Sequence, residues 1–306
     1  MRLYQEVTDK IVRQLESGDV PMWLKPWKVS TRNGAGLLPI NTVTGRHYHG
    51  INIPILWGEA ADKGYPTHAW LTYNQANEKG AHVRKGEKAT QVVFTKKLRI
   101  KDEATEEDKQ ISMLRAYFVF NIAQIEGLPD PTSSELIDET PEQKTSKVNC
   151  FIAATDADFR HGGNDACYVP SKDYILLPPF GAFKTTEDYY ATALHEAGHW
   201  TGAEKRLNRN LTGRFGTRAY AAEELIAELT AAFLCAHLGV TGELRHAGYL
   251  KTWAEMLRND NRAIFTAAAK AQQAADFLRA FSETSEEIGD GEVHVRPEQL
   301  DGRAAA

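Results

Sequence analysis

The sequence predicts an α+β protein with two domains: a mixed α/β N-terminal domain and a mainly helical C-terminal domain that includes a small β-hairpin. Three observations predict this fold class. The chain of 306 residues is long enough for about two domains of ordinary size. A stretch rich in Pro, Ser, Thr and Glu interrupts it near the middle. Helical periodicity dominates after that stretch. We place domains at 1–125 and 148–282, a linker at 126–147 and a disordered tail at 283–306.

The N-terminal domain opens with a predicted helix over 3–17. Leu3, Val7, Ile11 and Leu15 recur there at helical spacing. Apolar runs bounded by Gly, Pro and Asn predict the elements that follow. These are a short helix at 53–64, a strand at 69–74, a helix at 74–79, and strands at 90–100 and 112–122.

The C-terminal domain opens with a predicted hairpin, in which 166–170 pairs with 174–178 across a Ser-Lys-Asp turn. A helix is predicted over 186–201 and a longer one over 220–238, which Gly239 ends. One or two further helices fill 244–282.

Composition narrows the functional classes. Hydrophobic residues make up 42% and charged residues 25% of the chain, which is typical of a soluble globular protein. There is no run of eighteen apolar residues, so we expect no membrane partner. Three scattered cysteines (Cys150, Cys167 and Cys235) are too few for a disulfide framework and favour the reducing cytoplasm.

Charge is distributed unevenly between the two halves. Residues 1–125 contain 18 Lys and Arg against 13 Asp and Glu, a net charge of +5. The remaining residues contain 18 against 28, a net charge of −10. A basic first half is suited to nucleic acid, whereas the acidic second half would repel it.

The strongest chemical motif is His-Glu-Ala-Gly-His at 195–199. His195 and His199 stand four residues apart and so lie on one helical face, where both can bind one metal ion. Glu196 is placed beside them to take a proton from a water molecule that the metal activates. This is the H-E-x-x-H pattern of zinc peptidases. The plainer alternative is a pair of core histidines.

A catalytic zinc needs a third protein ligand, and the helix at 220–238 offers glutamates. Glu224 and Glu228 border its apolar stripe, where an unpaired carboxylate would be costly. We assign Glu224 as the third ligand and Glu228 as acceptor of a histidine N–H. Glu223 is the competing ligand, and a solvated helix edge is the plain alternative. Zinc is the expected ion, and Mn²⁺ or another divalent ion is the alternative.

The sequence does not identify the residue that stabilises the oxyanion. The candidates by nearness in sequence are Tyr189, Tyr190, Arg206 and Arg209. A peptidase of this layout binds its substrate by main-chain hydrogen bonds to an exposed strand edge, and the strand at 174–178 is the candidate.

Aromatic and basic residues alternate in the first half, as in proteins that bind single strands by stacking bases and following phosphates. Most tryptophans are core residues and most lysines are solvated, so the pattern is weak by itself. The candidate DNA contacts are Lys25, Trp27, Arg46, Tyr48, Trp70, Arg84, Lys85 and Lys88.

Several motifs together resemble plasmid antirestriction proteins of the ArdC type. In the first half these are 45–52 (GRHYHGIN), 70–75 (WLTYNQ), 83–88 (VRKGEK) and 120–124 (FNIAQ). In the second half they are 194–202 (LHEAGHWTG) and 223–229 (EELIAEL).

The resemblance implies an N-domain that binds single-stranded DNA and a zincin-like metallopeptidase domain, in a protein that protects incoming plasmid DNA from host restriction. It implies His195, His199 and one glutamate of the 223/224/228 cluster as ligands, with Glu196 as general base. A similar N-domain occurs in plasmid primases. Restriction enzymes or other DNA-associated proteins are the expected peptidase substrates.

Two alternatives remain at this point. One is a DNA-shielding protein whose metal site is structural or vestigial. The other makes the N-domain a protein-binding module.

Overall fold

The order of helices and strands is that of the predicted α+β fold. The computed structural model describes residues 2–16, 37–101, 108–128, 140–211, 213, 217–241 and 249–287. Its helices are α1 (Arg2–Glu16), α2 (Asn52–Lys63), α3 (Tyr73–Glu78), α4 (Pro141–Ala154), α5 (Thr186–Trp200), α6 (Arg218–Leu238), α7 (Leu250–Asn259) and α8 (Ala263–Glu287). Its strands are β1 (Ile40–Asn41), β2 (Ala69–Leu71), β3 (His82–Val83), β4 (Thr90–Lys101), β5 (Asp108–Asn121), β6 (Ile125–Glu126), β7 (Asp158–His161), β8 (Cys167–Val169) and β9 (Tyr174–Leu177).

The N-terminal sheet has the strand order β1-β2-β5-β4. Its main part is the long antiparallel pair of β4 and β5, in which Thr90 lies opposite Val119. The strands predicted at 90–100 and 112–122 are therefore confirmed. A capping box begins α3, because the Thr72 hydroxyl accepts from the Gln75 N–H while the Gln75 side chain accepts from the Thr72 N–H.

A second sheet of three strands lies in the C-terminal half, in the order β7-β9-β8. The predicted hairpin is confirmed as β8 and β9, whereas β7 was not predicted. Since β9 is paired on both sides, the prediction that 174–178 forms an exposed edge is wrong. Within the described residues, β8 is the edge strand nearer the histidines.

Helices α5 and α6 pack closely at Gly198. A Cβ atom built on Gly198 would stand 3.2 Å from the Ala227 Cα atom, which is tighter than ordinary side-chain contacts. A side chain at this position would require the Ala227 backbone to shift by a few tenths of an ångström, so Gly198 allows the glutamates of α6 to approach α5 closely.

The two halves share one hydrophobic core. Helix α1 packs against α7, and the Thr8 hydroxyl donates to the Asn261 carbonyl at 2.8 Å. Trp57 of α2 packs against Phe233 of α6, with ring centroids 6.1 Å apart. Contact between the halves is therefore extensive, and it does not depend on the segment that joins them.

Two predicted irregular segments are shorter than expected. Helix α4 begins at Pro141 with a Thr140 capping box, so 141–147 of the predicted linker is helical. Helix α8 continues to Glu287, and the rest of the predicted tail lies outside the described residues. Among the described helices, none has a stretch long and apolar enough for a membrane span.

Candidate metal centre

Helix α5 brings the two histidines of the motif together. It begins at Thr185, whose hydroxyl accepts from the Asp188 N–H at 3.1 Å. The rings of His195 and His199 have centroids 4.8 Å apart and are nearly perpendicular. Their Nε2 atoms consequently face the same carboxylate on α6.

That carboxylate belongs to Glu224. Its Oε2 lies 3.6 Å from His195 Nε2, and its Oε1 lies 3.5 Å from His199 Nε2. One ligand atom from each of the three residues lies within 4.8 Å of the other two. Ligand atoms around a tetrahedral zinc are about 3.4 Å apart, so this set fits a divalent ion.

Two further glutamates bind the outer nitrogens of the imidazoles. Glu228 Oε2 lies 3.1 Å from His195 Nδ1, and Glu223 Oε1 lies 3.3 Å from His199 Nδ1. Arg209 also binds Glu223, at 2.8 Å. Glu223, the competing ligand candidate, is therefore directed at Arg209 and the far side of His199, and Glu224 is the glutamate that faces both Nε2 atoms.

The buried carboxylates raise the pKa values of the two histidines. Burial lowers the pKa of His195, but the hydrogen bonds to Glu224 and Glu228 outweigh burial and raise it above the ordinary histidine value. The same balance, with Glu223 and Glu224 as partners, raises the pKa of His199. Burial raises the pKa of Glu224, and its two histidine partners lower it further than burial raises it.

Glu196 lies at the mouth of the site, against strand β8. The Tyr168 backbone N–H donates to Glu196 Oε2 at 2.8 Å, which fixes that carboxylate beside the edge strand. The cavity in front of it has a volume of ≈ 290 Å³. Its lining includes His195, His199 and Glu224, so the candidate base and the candidate ligands open onto one space.

None of the four proposed oxyanion stabilisers lines this cavity. Tyr189 contacts His161 Nε2 at 3.0 Å, and Tyr190 donates to Asn149 at 2.8 Å. Nearness in sequence was a poor guide here, because the side chains of successive helical residues point in different directions.

The two arginines of that group bind structural partners. Arg206 donates to the Trp200 carbonyl at 2.6 Å and pairs with Asp173. Arg209 donates to the Gly198 carbonyl at 2.7 Å besides binding Glu223. Both arginines therefore hold the segment after α5 against the metal site.

Sequence reasoning missed two tyrosines that line the cavity, Tyr220 and Tyr249. Burial raises the pKa of Tyr220 above the ordinary value, as do its hydrogen bonds to Tyr249 and Glu224, so its hydroxyl stays protonated. The available signal was spacing, since Tyr220 stands one helical turn before Glu224.

The aromatic residues predicted to contact DNA are buried wherever the structure describes them. Trp70 is 0% exposed and packs against Tyr65, so it cannot stack on a base, and its assignment as a DNA contact is wrong. Tyr48 is only 7% exposed and belongs to the same small core cluster, which leaves no ring face for stacking. Lys25 and Trp27 lie outside the described residues.

The four basic side chains of this set that the structure describes, Arg46, Arg84, Lys85 and Lys88, are exposed. Arg84, Lys85 and Lys88 follow β3 in one turn, where Arg84 pairs with Glu87 at 2.9 Å. Arg46 lies apart from them, in the segment before α2, and lines a larger cavity.

Two family models match the chain. The N-terminal domain of anti-restriction factor ArdC matches residues 1–120, and a zincin-like metallopeptidase model matches residues 146–270. Together they assign a known domain type to each predicted half.

Curated relatives match more than nine tenths of the chain. The uncharacterized protein y4eC of Sinorhizobium fredii is 40% identical, over 91% of this chain and 92% of its own length. The DNA primase TraC of Escherichia coli is 37% identical over 92% of this chain but only 27% of TraC. The similarity to this DNA primase is therefore not limited to the N-domain.

Solved structures give the same result. The metal-free crystal structure of the antirestriction ArdC protein from plasmid R388 has a TM-score of 0.77 and 42% identity, covering 93% of this chain and 99% of that one. Its Mn(II)-bound structure has a TM-score of 0.73, with 92% and 98% covered.

Fold and site thus define a two-domain α+β protein in which an ArdC-type N-terminal domain precedes a zincin-like metallopeptidase domain. The chain belongs to the family of ArdC antirestriction proteins.

Proposed function

We propose that this protein binds single-stranded DNA during plasmid transfer, protects the incoming DNA from host restriction in the cytoplasm, and cleaves proteins at a zinc-dependent site. The observation that supports the peptidase most directly is the shared cavity of His195, His199, Glu224 and Glu196. A purely structural metal site needs neither an open space nor a base beside it.

In this proposal His195, His199 and Glu224 hold the ion, while Glu223 and Glu228 orient the imidazoles. When bound, a divalent ion supplies Lewis acidity at the scissile carbonyl and lowers the pKa of water. The Mn(II)-bound structure of R388 ArdC supports manganese as an alternative to zinc.

Side chains of the protein carry out proton transfer and stabilise the negative charge that develops on the substrate. Glu196 takes a proton from the attacking water and passes it to the leaving amine, while the Tyr168 N–H keeps its carboxylate in place. Tyr220, which stays protonated, donates a hydrogen bond to the oxygen that gains charge.

The edge strand β8 supports a protein substrate. Within the described residues it is paired with a strand on one side only, by β9, its Tyr168 N–H donates to Glu196, and it contributes Cys167 and Tyr168 to the cavity lining. An extended substrate segment adds to such an edge by main-chain hydrogen bonds. We take host restriction enzymes or other DNA-associated proteins as the substrate class.

Exposed basic side chains support the DNA-binding part of the proposal. Arg46, Arg84, Lys85 and Lys88 are exposed on the N-terminal half, whose net charge is +5 from 18 basic and 13 acidic residues in 1–125. Cations of this kind follow the phosphates of a single strand.

The test separates peptidase function from DNA shielding. Glu196→Gln keeps the shape of the side chain and removes the base, so cleavage in a recipient-cell lysate should fall by about 10²–10⁴-fold, with metal content unchanged. Glu255→Gln, on the exposed face of α7, is the matched control. If Glu196→Gln protects transferred DNA as well as the unmodified protein does, the shielding alternative with a structural or vestigial metal site is correct.

A further inference from the structure

A large open groove lies between the N-terminal sheet and helices α6 and α8. Its volume is ≈ 1360 Å³, larger than the roughly 300–1,000 Å³ of a pocket for a small molecule. The lining comes from three distant parts of the chain: the segment before α2, strands β4 and β5, and the two C-terminal helices. A groove of this size and openness suits a segment of a polymer.

Two exposed aromatic rings stand in this groove. Phe94 is 47% and Tyr117 is 45% exposed, and their ring centroids lie 5.3 Å apart in a T-shaped pair. Pairing sets Arg115 opposite Phe94 and Val92 opposite Tyr117, so the two rings and exposed Arg115 share one face of the ladder. Exposed rings beside a guanidinium are the platform on which single-stranded bases stack.

Positive and titratable groups from both halves meet in the same groove. The N-terminal half contributes Arg46, His47 and His49, and the C-terminal half contributes His237 and Arg279. Burial lowers the pKa of His237 to about 4, with Arg279 as the next largest cause, and His47 is lowered by burial and then by His49 and Arg279 among charged neighbours. Their shared place in the groove lining shows that these groups converge.

Among the described residues that line the groove, one acid faces this cluster. Asp276 lines the groove, where its Oδ1 lies 3.6 Å from Arg279 Nη1 and accepts from the Gln272 amide at 2.9 Å. Within the described lining, this carboxylate stands against Arg46 and Arg279, and the lowered pKa values of His47 and His237 keep both imidazoles neutral near pH 7. The two arginines therefore supply the positive charge that complements a phosphate backbone.

The same groove joins the halves directly. The Gly50 N–H donates to Gln272 Oε1 at 2.9 Å, and this ties the segment before α2 to α8. This hydrogen bond therefore joins a wall of the groove in the N-terminal half to a wall in the C-terminal half.

We infer that the single strand lies in this groove between the halves, with bases on Phe94 and Tyr117 and phosphates on Arg46 and Arg279. The metallopeptidase half then contributes part of the DNA site, although its net charge is negative. This inference rests on the proposed single-strand binding and assigns its location.

Helix α6 connects this site to the metal centre. His237 lines the groove and Glu224 faces the histidines on the same helix, thirteen residues apart, or about 20 Å along the axis. The protein substrate that this arrangement favours is one bound to the same strand close by.

The experiment measures fluorescence anisotropy of a labelled 30-nucleotide oligo-dT at two salt concentrations. Arg279→Ala should weaken binding about fivefold and reduce the salt slope by about 0.7, the value for one lost phosphate contact on a single strand. Arg160→Ala is the matched control, since exposed Arg160 also pairs with an aspartate, at 2.6 Å, and does not line the groove. Thermal melting of both variants checks that they are folded.

The outcomes separate this inference from the proposed function. If the unmodified protein binds oligo-dT while Arg279→Ala and Arg160→Ala bind it equally well, the groove assignment is overturned and single-strand binding stands. Failure of the unmodified protein to bind at either salt concentration overturns both. Photocrosslinking with 5-iododeoxyuridine gives a second readout: adducts on Tyr117 or Phe94 support the groove, and adducts confined to the 84–88 turn contradict it.

Discussion

The metal centre and the groove between the halves are built in opposite ways. At the metal centre each imidazole contacts a glutamate on both sides, and all of these groups are contributed by α5 and α6. The groove gathers exposed rings and cations from segments more than two hundred residues apart. A site for one small ion demands fixed ligands, whereas a flexible polymer is bound by spaced groups on an open surface.

The largest expected effect tests whether the two sites are independent. Glu224→Ala removes the carboxylate that faces both Nε2 atoms, and zinc affinity should fall by more than about 100-fold, with oligo-dT binding unchanged. Zinc content by mass spectrometry and anisotropy on the same sample measure both. The neighbouring Glu223→Gln should lose far less metal, and the reverse order would make Glu223 the ligand.

An intermediate loss of zinc affinity is expected when Glu228, the carboxylate that orients His195, is changed. Glu228→Gln weakens the contact at His195 Nδ1, so zinc affinity should fall about 10- to 100-fold. Competition with a chromogenic chelator measures this affinity. Unchanged affinity would mean that packing alone fixes the ring of His195.

DNA binding in the groove should weaken when an aromatic ring is removed and should not depend on the metal ion. Tyr117→Ala removes one of the two exposed rings of the T-shaped pair, and oligo-dT affinity should fall about tenfold, without change in zinc affinity. Exposed Tyr73, which does not line the groove, is the matched control as Tyr73→Ala. Equal losses from both variants would contradict a specific platform.

The smallest effect is a pH dependence confined to the metal centre. Carboxylates raise the pKa of His195 and His199, so both hold protons that zinc must displace. Their raised pKa stabilises the metal-free protein below about pH 6.5, and this contribution is lost as pH rises through the folded-state values. The rise in Tm on adding zinc should therefore grow from pH 6 to pH 8. Scanning fluorimetry measures it, and a shift that does not change with pH would contradict the direction given for the two histidines.

Local spacing was enough to predict that the two histidines of α5 come together. His195 and His199 are one helical turn apart, so their place on one helical face follows from the sequence alone. Spacing could not choose between Glu223 and Glu224, because adjacent helical residues differ by about 100° in direction. The rotation of α6 is set by its packing on α5 at Gly198, a long-range contact.

In the N-terminal half, composition could not predict which aromatic residues are exposed. Trp70 and Phe94 are both aromatic residues in a basic region, yet one is fully buried and the other 47% exposed. The strand pairing places both rings on one face of the sheet, and Leu56 and Ala60 of α2 pack in the same buried cluster as Trp70, whereas Phe94 lies outside that cluster. The groove could not be predicted either, since His237 and Arg279 lie in the acidic half.

The core shared by α1, α2 and the C-terminal helices has a consequence for inheritance. If either half were transferred alone, the apolar faces around Ile11 and Trp57 or around Phe233 would be left open to water. Recombination that cuts between the halves is therefore penalised, and the pair is expected to move between genes as one cassette. The similarity to TraC, which spans 92% of this chain and only 27% of the primase, is the pattern that such a cassette leaves.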